Sequence, residues 1–281
     1  MKIKITSDST CDLSEELIRD NDITITPLTI VKNGKNFKDC LDIRPSDIFA
    51  HVDSGGELCS TAAVNIGEYR AVFEKFSPNY DAVVHINIGS EFSACYQTAL
   101  IAAEDFPNVY VIDSRNLSSG QGHVVMEACA LAKTCTDINA MCVQLRELTE
   151  RVEASFLVDR LDYLVRGGRC SSVMALGANI LHLRPCIEVK NGKMQVVKKY
   201  RGSYAKCLSE YVKDRLSDRD DIIRDRIFIT HTPVNAEDFK AAADAVAKYG
   251  HFAHTHETEA GCTVACHCGP ATLGVLFIRS K

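Results

Sequence analysis

The fold of this chain is decided by residues 156–188, which read FLVDRLDYLVRGGRCSSVMALGANILHLRPCIE. Their apolar residues keep helical spacing up to Gly167 and Gly168, which are expected to end the helix because glycine adopts the left-handed C-cap conformation without strain. Ser171 can cap a second helix that runs through Leu181, and a strand follows. A basic, glycine-hinged corner is therefore predicted just past the midpoint of the 281 residues, where a boundary between two domains would fall.

The composition is that of a globular protein with a sizeable core. Hydrophobic residues make up 46% of the chain and charged residues 25%, and the net charge of -5 argues against a general nucleic-acid surface. No apolar run approaches the roughly 20 residues that cross a bilayer, and the N-terminus has no signal-peptide core. The 13 cysteines are scattered, so we interpret them as reduced thiols and expect a cytoplasmic protein.

The first half of the chain alternates strands and helices. Residues 1–6 read as a strand followed by a polar turn and a helix, and the almost continuously apolar segment 82–88 is typical of a strand buried on both faces. We also expect one strand over residues 23–31 and one amphipathic helix over residues 137–154. These patterns predict a parallel, Rossmann-like α/β domain over residues 1–155.

The second half predicts a different kind of sheet. Asn191-Gly192 joins two apolar segments and is a strong hairpin signal, which indicates antiparallel pairing. Helices are predicted over residues 204–216 and 236–249, and the tail after them is expected to run as strands. Residues 156–281 are therefore predicted to form an α/β domain with a mixed or antiparallel sheet, and a ligand is expected to lie between the two domains.

Two hydroxyl residues precede predicted helices. Thr61 comes just before the helix predicted over residues 66–76, and Ser93 lies at the turn before the helix predicted from Gln97. Each can be an ordinary helix cap, or each can bind an anion at the positive end of the helix dipole. Ser93 can also be a nucleophile, although no Gly-x-Ser-x-Gly elbow surrounds it.

Seven side chains that can ligate metals crowd the tail of the sequence. They are His251, His254, His256, Cys262, Cys266, His267 and Cys268. Such a group can hold zinc, but its spacing is poor because the tail has no Cys-x₂-Cys pair and neighbouring residues of a strand point to opposite faces. We therefore expect no metal site there, and His267 read alone is more typical of a core histidine.

Six motifs, in order along nearly the whole chain, resemble the DegV family of bacterial fatty-acid-binding proteins. They are Asp8 to Leu13; Thr61 with Gly67-Glu68; Ser93 with Tyr96-Gln97; Asp113-Ser114 with Ser118, Gly120 and Gly122; Gly167-Gly168-Arg169 with Gly177 and Arg184-Pro185; and His267 to Gly274. One departure is clear, because Ala62-Ala63-Val64 follow Thr61 where the family has Ser-Gln-Pro. The resemblance implies a DegV-like fold.

The resemblance also implies that the protein binds a long-chain fatty acid, such as palmitate, stearate or oleate, in a buried tunnel and without a cofactor. The carboxylate ligands are then Thr61, Ser93 and His267, with Ala62, Ala94, Cys95 and Gly269 beside them. Family members present the carboxylate to a separate ATP-dependent fatty acid kinase, so this chain is expected to be a carrier and not an enzyme. The arginines expected to dock that partner are Arg166, Arg169, Arg184 and Arg201.

Two other functions stay open at this point. A serine or cysteine hydrolase would use Ser93 or Cys95 with His267 and with Asp8 or Asp113, although no pairing of a base with an orienting carboxylate is visible in the sequence. The other is a zinc-dependent regulator built on the tail. The carrier has the simplest physical logic, because burial stabilises an acyl chain by up to about 0.8 kcal/mol per methylene while its carboxylate needs hydrogen-bond donors.

Overall fold

The computed structural model describes residues 1–174 and 183–281. Gly177 and the helix end predicted at Leu181 lie outside the described residues. Three sheets and the helices packed on them make up the described part of the chain.

The described residues form strands and helices that are numbered here in chain order. The strands are Ile3–Asp8 (β1), Thr24–Thr26 (β2), Thr29–Lys32 (β3), Lys35–Lys38 (β4), Ser60–Ala62 (β5), Ala82–Asn87 (β6), Val109–Asp113 (β7), Val152–Leu157 (β8), Leu183–Lys190 (β9), Lys193–Arg201 (β10), Arg226–His231 (β11), His254–Glu259 (β12) and Leu273–Ile278 (β13). The helices are Glu15–Asp20 (α1), Pro45–Asp53 (α2), Ile66–Phe76 (α3), Cys95–Ala103 (α4), Ser119–Ala132 (α5), Ile138–Thr149 (α6), Asp162–Gly167 (α7), Ser171–Met174 (α8), Tyr204–Leu216 (α9), Ala236–Tyr249 (α10) and Cys262–Cys268 (α11).

The first sheet is parallel, with the strand order β2-β1-β6-β7. Strand β6 is buried along its whole length, as its continuous apolar run predicts. Helix α5 packs against β1 and β6 of this sheet and against β8 and β13 of the next one. The two sheets therefore share one buried helix, and the main core surrounds it.

The second sheet is mixed, with the order β10-β9-β8-β13-β11-β12, and its β11–β12 pair is parallel. The predicted hairpin joins β9 and β10, and Asn191 and Gly192 at its turn have positive φ angles of 52° and 76°. A parallel sheet and a separate mixed sheet confirm the predicted α/β fold class.

The helix predicted over residues 137–154 is wrong at its C-terminal end. Helix α6 ends at Thr149, and β8 follows, paired between β9 and β13 and buried throughout. The pattern of residues 150–154 resembles a helix because Glu153 is typical of a solvent-facing helical position. In the structure Glu153 is buried and forms an ion pair with Arg215 at 2.5 Å. Strand β8 belongs to the second sheet, yet its first residues lie on the N-terminal side of the predicted domain boundary at residue 155. The division into domains 1–155 and 156–281 stays a prediction.

The strand predicted over residues 23–31 is also wrong, because it is two strands in different sheets. Strand β2 lies at the edge of the parallel sheet, and β3 forms the centre of a small antiparallel sheet with the order β4-β3-β5. Pro27 separates them, and proline has no N–H to donate to a strand ladder.

The tail contains a helix where only strands were expected. Residues 254–259 and 273–278 are strands, but between them Cys262–Cys268 forms α11. This helix packs against α2, α7, β3 and β5. A C-terminal segment therefore packs against three elements from the first half of the chain, α2, β3 and β5, as well as against α7.

Two buried carboxyl groups hold the N-terminus of α11. Asp39 accepts hydrogen bonds from the N–H of Cys262 at 2.8 Å and from the hydroxyl of Thr263 at 2.6 Å, and Asp12 accepts one from the N–H of Gly261 at 2.9 Å. These groups satisfy backbone donors that the first turn of a helix leaves unpaired. No signal within the tail itself predicts the helix, because its partners lie more than 200 residues away in sequence.

No helix in the described parts of the chain is both long and apolar enough to cross a membrane.

Replacement of the buried Asp39 is expected to destabilise the protein. Asp39→Asn removes an acceptor of charge-assisted hydrogen bonds, so the free energy of unfolding should fall by about 2–3 kcal/mol in urea denaturation. The matched control is Asp220→Asn, since Asp220 is exposed, and its effect should stay within about 0.5 kcal/mol. Equal stability of the two variants would show that Asp39 does not anchor α11.

Asp12 should make stability fall as the pH rises. Burial raises the pKa of Asp12 from 3.8 to about 8, so the folded state favours the protonated carboxyl that the unfolded chain loses near pH 4. The stability present at low pH is therefore lost progressively up to about pH 8. Urea unfolding of wild type and Asp12→Asn at a series of pH values measures this loss; asparagine suits the φ of 47° at this position. Parallel curves for the two proteins would refute the assignment.

Candidate functional site

A cavity of about 200 Å³ lies where β5, the start of α4 and α11 meet. Its polar lining residues are Thr61, Ser93, Arg169, Thr263 and His267. Its larger apolar lining residues are Leu28, Ile88, Phe92, Leu117, Met194 and Val264. The structure thus brings Thr61, Ser93 and His267 to one cavity, although Thr61 and His267 are 206 positions apart in sequence.

Thr61 is held by a strand and does not precede a helix as expected. It lies in β5, opposite Ile30 of β3, and the N-cap of α3 is Asn65, whose side chain accepts a hydrogen bond from the N–H of Glu68 at 3.0 Å. The interpretation of Thr61 as a hydroxyl at a helix N-terminus is therefore wrong. What positions its side chain is the pairing of β5 with β3.

The Thr61 hydroxyl and the His267 imidazole form a hydrogen bond, with 2.9 Å between Oγ1 and Nε2. The other ring nitrogen, Nδ1, is buried and has no hydrogen-bond partner among the described residues. A proton on Nδ1 would be a buried, unpaired donor, so we assign the proton to Nε2, which donates it to Thr61. The hydroxyl proton of Thr61 is then free to donate into the cavity.

Burial and the positive charge of Arg169 lower the pKa of His267 from 6.5 to about 4. The imidazole is therefore neutral at pH 7, and its single N–H serves as a hydrogen-bond donor. Gly167 packs directly against the ring, because a Cβ on Gly167 would lie 2.6 Å from Nδ1 of His267. Any side chain at Gly167 would displace the imidazole, which gives the first glycine of the pair a role besides ending α7.

Ser93 lies at the start of α4, as expected. Its Oγ accepts a hydrogen bond from the N–H of Cys95 at 3.3 Å and lies 3.2 Å from the Cys95 Sγ. Of the other residues predicted beside a head group, Ala94 lines the cavity, whereas Ala62 is exposed and Gly269 packs against the ring of Tyr163.

The four arginines predicted to dock a partner have different environments. Arg169 lines the cavity and donates to the carbonyl oxygens of Gly167 at 2.6 Å and Phe92 at 3.4 Å. Arg184 is half-buried, forms an ion pair with Asp159 at 2.8 Å and lies over the ring of Tyr204. Arg169 is nevertheless exposed, as are the remaining two, Arg166 and Arg201. Arg169 is thus a cavity cation, and Arg184 has a structural role in the fold.

A smaller cavity of about 30 Å³ lies deeper and shares the walls Leu117, Val264 and Cys268 with the first one. Its lining hydroxyls are all hydrogen-bonded within the protein: Ser118 to Asp12, Thr230 to Thr258, Thr232 to the carbonyl of Gly269 and Thr272 to the carbonyl of Cys268. Each of these four hydroxyls therefore already has a hydrogen-bond partner within the protein. The deep cavity is suited to an apolar group.

The geometry gives a hydrolase little support. The imidazole of His267 is hydrogen-bonded to Thr61, and in residues 1–174 and 183–281 no carboxylate bonds its Nδ1 to orient it. Burial raises the pKa of Cys95 to about 11, so this thiol is a poor nucleophile at neutral pH. Asp8 and Asp113 form hydrogen bonds to other groups, such as the N–H of Ile88 and the hydroxyl of Ser90.

The crowd of histidines and cysteines in the tail does not form a metal cluster in the described residues. Asp39, Cys40 and Cys262 are the group whose ligand atoms all lie within 4.8 Å of one another. The carboxylate of Asp39 already accepts hydrogen bonds from Ser9, Cys262 and Thr263. This cluster is therefore accounted for by the anchoring of α11.

Sequence reasoning missed most of the cavity wall. Leu28, Phe92 and Met194 come from three distant segments, and nothing in their local pattern distinguishes them from core residues. Arg169 does have a local sequence signal, because it follows the pair Gly167-Gly168, and Gly167 contacts His267. From the sequence alone, that signal is interpreted as part of a partner surface.

Comparison with known proteins places the chain in a family. A family model described as "Uncharacterised protein, DegV family" matches residues 2–280. A DegV domain-containing protein of Caldanaerobacter subterraneus subsp. tengcongensis is 31% identical over 281 residues, which is 98% of each chain.

Solved structures show the same fold. A DegV family protein from Thermus thermophilus, described by its fatty acid binding, has a TM-score of 0.91 at 26% identity and covers 99% of this chain and 100% of its own. A stearic acid-binding protein from Eubacterium ventriosum has a TM-score of 0.85 at 26% identity, covering 99% and 98%.

These matches extend over nearly the whole chain and include the segments that build the cavity. The predicted resemblance and the DegV-like fold are confirmed. The chain belongs to the DegV family.

Proposed function

We propose that this protein binds a long-chain fatty acid, with the carboxylate at Thr61, Ser93 and Arg169, His267 orienting the Thr61 hydroxyl, and the acyl chain directed towards the deep cavity. The observation that carries the proposal is that hydroxyl groups, an imidazole and a guanidinium meet in one otherwise apolar cavity. Family members described as fatty-acid-binding share the fold over almost the full length of this chain.

The polar groups suit a carboxylate chemically. Thr61 and Ser93 each carry a hydroxyl proton, and Thr61 is turned into a donor by its bond to His267. Ser93 adds the first turn of α4, whose dipole favours negative charge. Arg169 supplies the formal positive charge that a partly buried carboxylate needs.

The apolar walls suit an acyl chain. A path from the head-group cavity to the deep cavity passes between Leu117, Val264 and Cys268, which line both. The acyl chain must part these side chains, and its burial there offsets the work of opening the path at up to about 0.8 kcal/mol per methylene.

The proposal extends to a partner. A protein that only holds the acid and exposes its carboxylate end fits a carrier that serves a separate ATP-dependent kinase in lipid metabolism, which forms the acyl-phosphate. Such a pair would work in the cytoplasm, where ATP is available. Arg166 and Arg201 are exposed and can meet an acidic partner or the phosphates of its nucleotide.

Removal of both hydroxyls should empty the site. Thr61→Ala combined with Ser93→Ala removes two hydrogen bonds to a charged group, so oleate affinity should fall by at least about 100-fold. Mass spectrometry of the purified protein, native and denatured, measures co-purified lipid, and oleate titration measures affinity. Thr98→Ala is the matched control, since the Thr98 hydroxyl bonds to the carbonyl of Ala94 on the same helix. Full lipid occupancy in the double variant would refute the site.

Arg169 and Arg166 should separate ligand binding from surface charge. Arg169→Gln removes the cavity cation, so fatty acid affinity should fall roughly tenfold and lose part of its salt dependence. Arg166→Gln removes the same charge from an equally exposed residue of α7 that is outside the cavity lining, and it should leave affinity within about twofold. Titration with oleate at low and high salt measures both. An unchanged affinity in Arg169→Gln would remove this residue from the head-group site.

A further inference from the structure

A groove of about 480 Å³ lies at the N-terminal end of α11, beside the N-cap residue Gly261. It is more than twice as large as the head-group cavity, which has about 200 Å³, and the two have no lining residue in common. The proposed fatty acid site therefore makes no use of this groove.

The groove lies between the edge strands of two sheets. Strand β2 is at the edge of the parallel sheet and β12 at the edge of the mixed sheet, so in the described chain each has a strand neighbour on one side only. Ile25 of β2 lines the groove, as do Glu257, Thr258 and Glu259 of β12. The outer side of an edge strand carries backbone N–H and C=O groups with which an extended segment can pair.

Part of the groove wall is apolar. Leu13, Ile18, Ile25 and Pro27 line it, and Leu13 is buried while the other three are half-buried. Leu41 lines it too and is 73% exposed, more than any other large apolar side chain of the described residues. One exposed leucine is ordinary on a protein surface, but an exposed leucine on an apolar groove favours contact with the apolar side chains of another molecule.

The exposed charges of the groove are mainly negative. Glu15 of α1 and Glu257 and Glu259 of β12 are exposed, whereas Arg44 is the single cation among the described lining residues. Because Glu257 and Glu259 are two positions apart on a strand, their side chains project from the same face of the sheet. The groove therefore favours a positively charged partner and repels acidic proteins and anionic lipid surfaces.

The two faces of β12 differ in polarity. Thr258, between the two glutamates, points to the opposite face, where it is buried and hydrogen-bonded to Thr230 at 2.8 Å. The side chains of a strand added beside β12 would alternate in the same way. Cations at every second position would then lie opposite Glu257 and Glu259, and apolar residues between them would lie on the buried face.

We propose that this groove docks an extended, basic segment of a partner protein, which adds to β12 as a further strand. A chain segment fits better than a small cation, because exposed ion pairs contribute little one at a time, whereas several cations and apolar side chains on one segment act together. A second copy of this chain fits less well, since each copy has a net charge of -5. The docking surface is additional to the proposed fatty acid site and does not depend on it.

The test uses a blocked synthetic peptide of about ten residues that alternates lysine and valine, and a matched peptide with glutamate in place of lysine. In calorimetric titration of the full-length protein at about 0.15 M salt, the lysine peptide should bind in equimolar ratio, and the glutamate peptide at least about tenfold more weakly. Hydrogen exchange of the backbone amides in residues 254–259 should be slowed at least about tenfold by saturating lysine peptide, because a new strand pairs with them.

Charge reversal on β12 should exchange the preference. Glu257→Lys combined with Glu259→Lys should weaken binding of the lysine peptide at least about tenfold and strengthen binding of the glutamate peptide, which also shows that the variant folds. The matched control, Glu74→Lys with Glu147→Lys, makes the same change in net charge on exposed helix residues outside the groove and should leave both affinities within about twofold. Leu41→Ser should weaken binding of the lysine peptide about threefold.

The proposal is overturned by any of several results. Three of them come from wild type alone: no saturable binding of the lysine peptide, equal affinity for both peptides, or unaltered exchange in residues 254–259. Competition by butylammonium at a similar affinity would indicate a small-cation site instead. A dimer in analytical ultracentrifugation that Glu257→Lys with Glu259→Lys dissociates would assign the groove to a second copy. None of these readings requires a fatty acid, so failure of the proposed function leaves them unaffected.

Discussion

The anchoring of α11 by Asp39 and Asp12 is the interaction on which the candidate site is built. The helix is only seven residues long, too short to be stable by itself, and its free N–H groups find their acceptors on loops from the opposite end of the chain. Without that anchor, His267 would have no fixed position relative to Thr61. The site therefore exists only when the two halves of the chain are packed together.

This dependence explains why one short helix serves both ends of the proposed ligand. His267 on α11 meets the polar groups, while Val264 and Cys268 of the same helix line both cavities. Residues three or four apart on a helix share a face, so a single turn can present an imidazole beside an apolar wall. The polar and apolar parts of the site are consequently positioned by the same hydrogen bonds.

The sequence predicted the elements whose own residues indicate their structure, and it failed where contacts with residues far along the chain determine the structure. Helix α10 has clear periodicity, and the Asn191-Gly192 turn has local glycine chemistry; both were found. Strand β8 and helix α11 were missed because their structure follows from neighbours far along the chain. The site residues Thr61, Ser93 and His267 came from the family resemblance, whereas the signal at Arg169 was interpreted as part of a partner surface and not of the cavity. A cavity wall collected from remote segments has no local pattern to read.

The departure at Ala62-Ala63-Val64 is understandable in the same terms. The family's proline at this loop would restrict the backbone by fixing φ, and this chain has none there. Here residues 60–62 pair with β3 instead, and Val64 is buried in the core. Backbone hydrogen bonds and burial thus supply the rigidity that holds the Thr61 hydroxyl towards His267. Ala63 lines the cavity beside it, so the altered residues also form part of the wall next to the proposed head-group site.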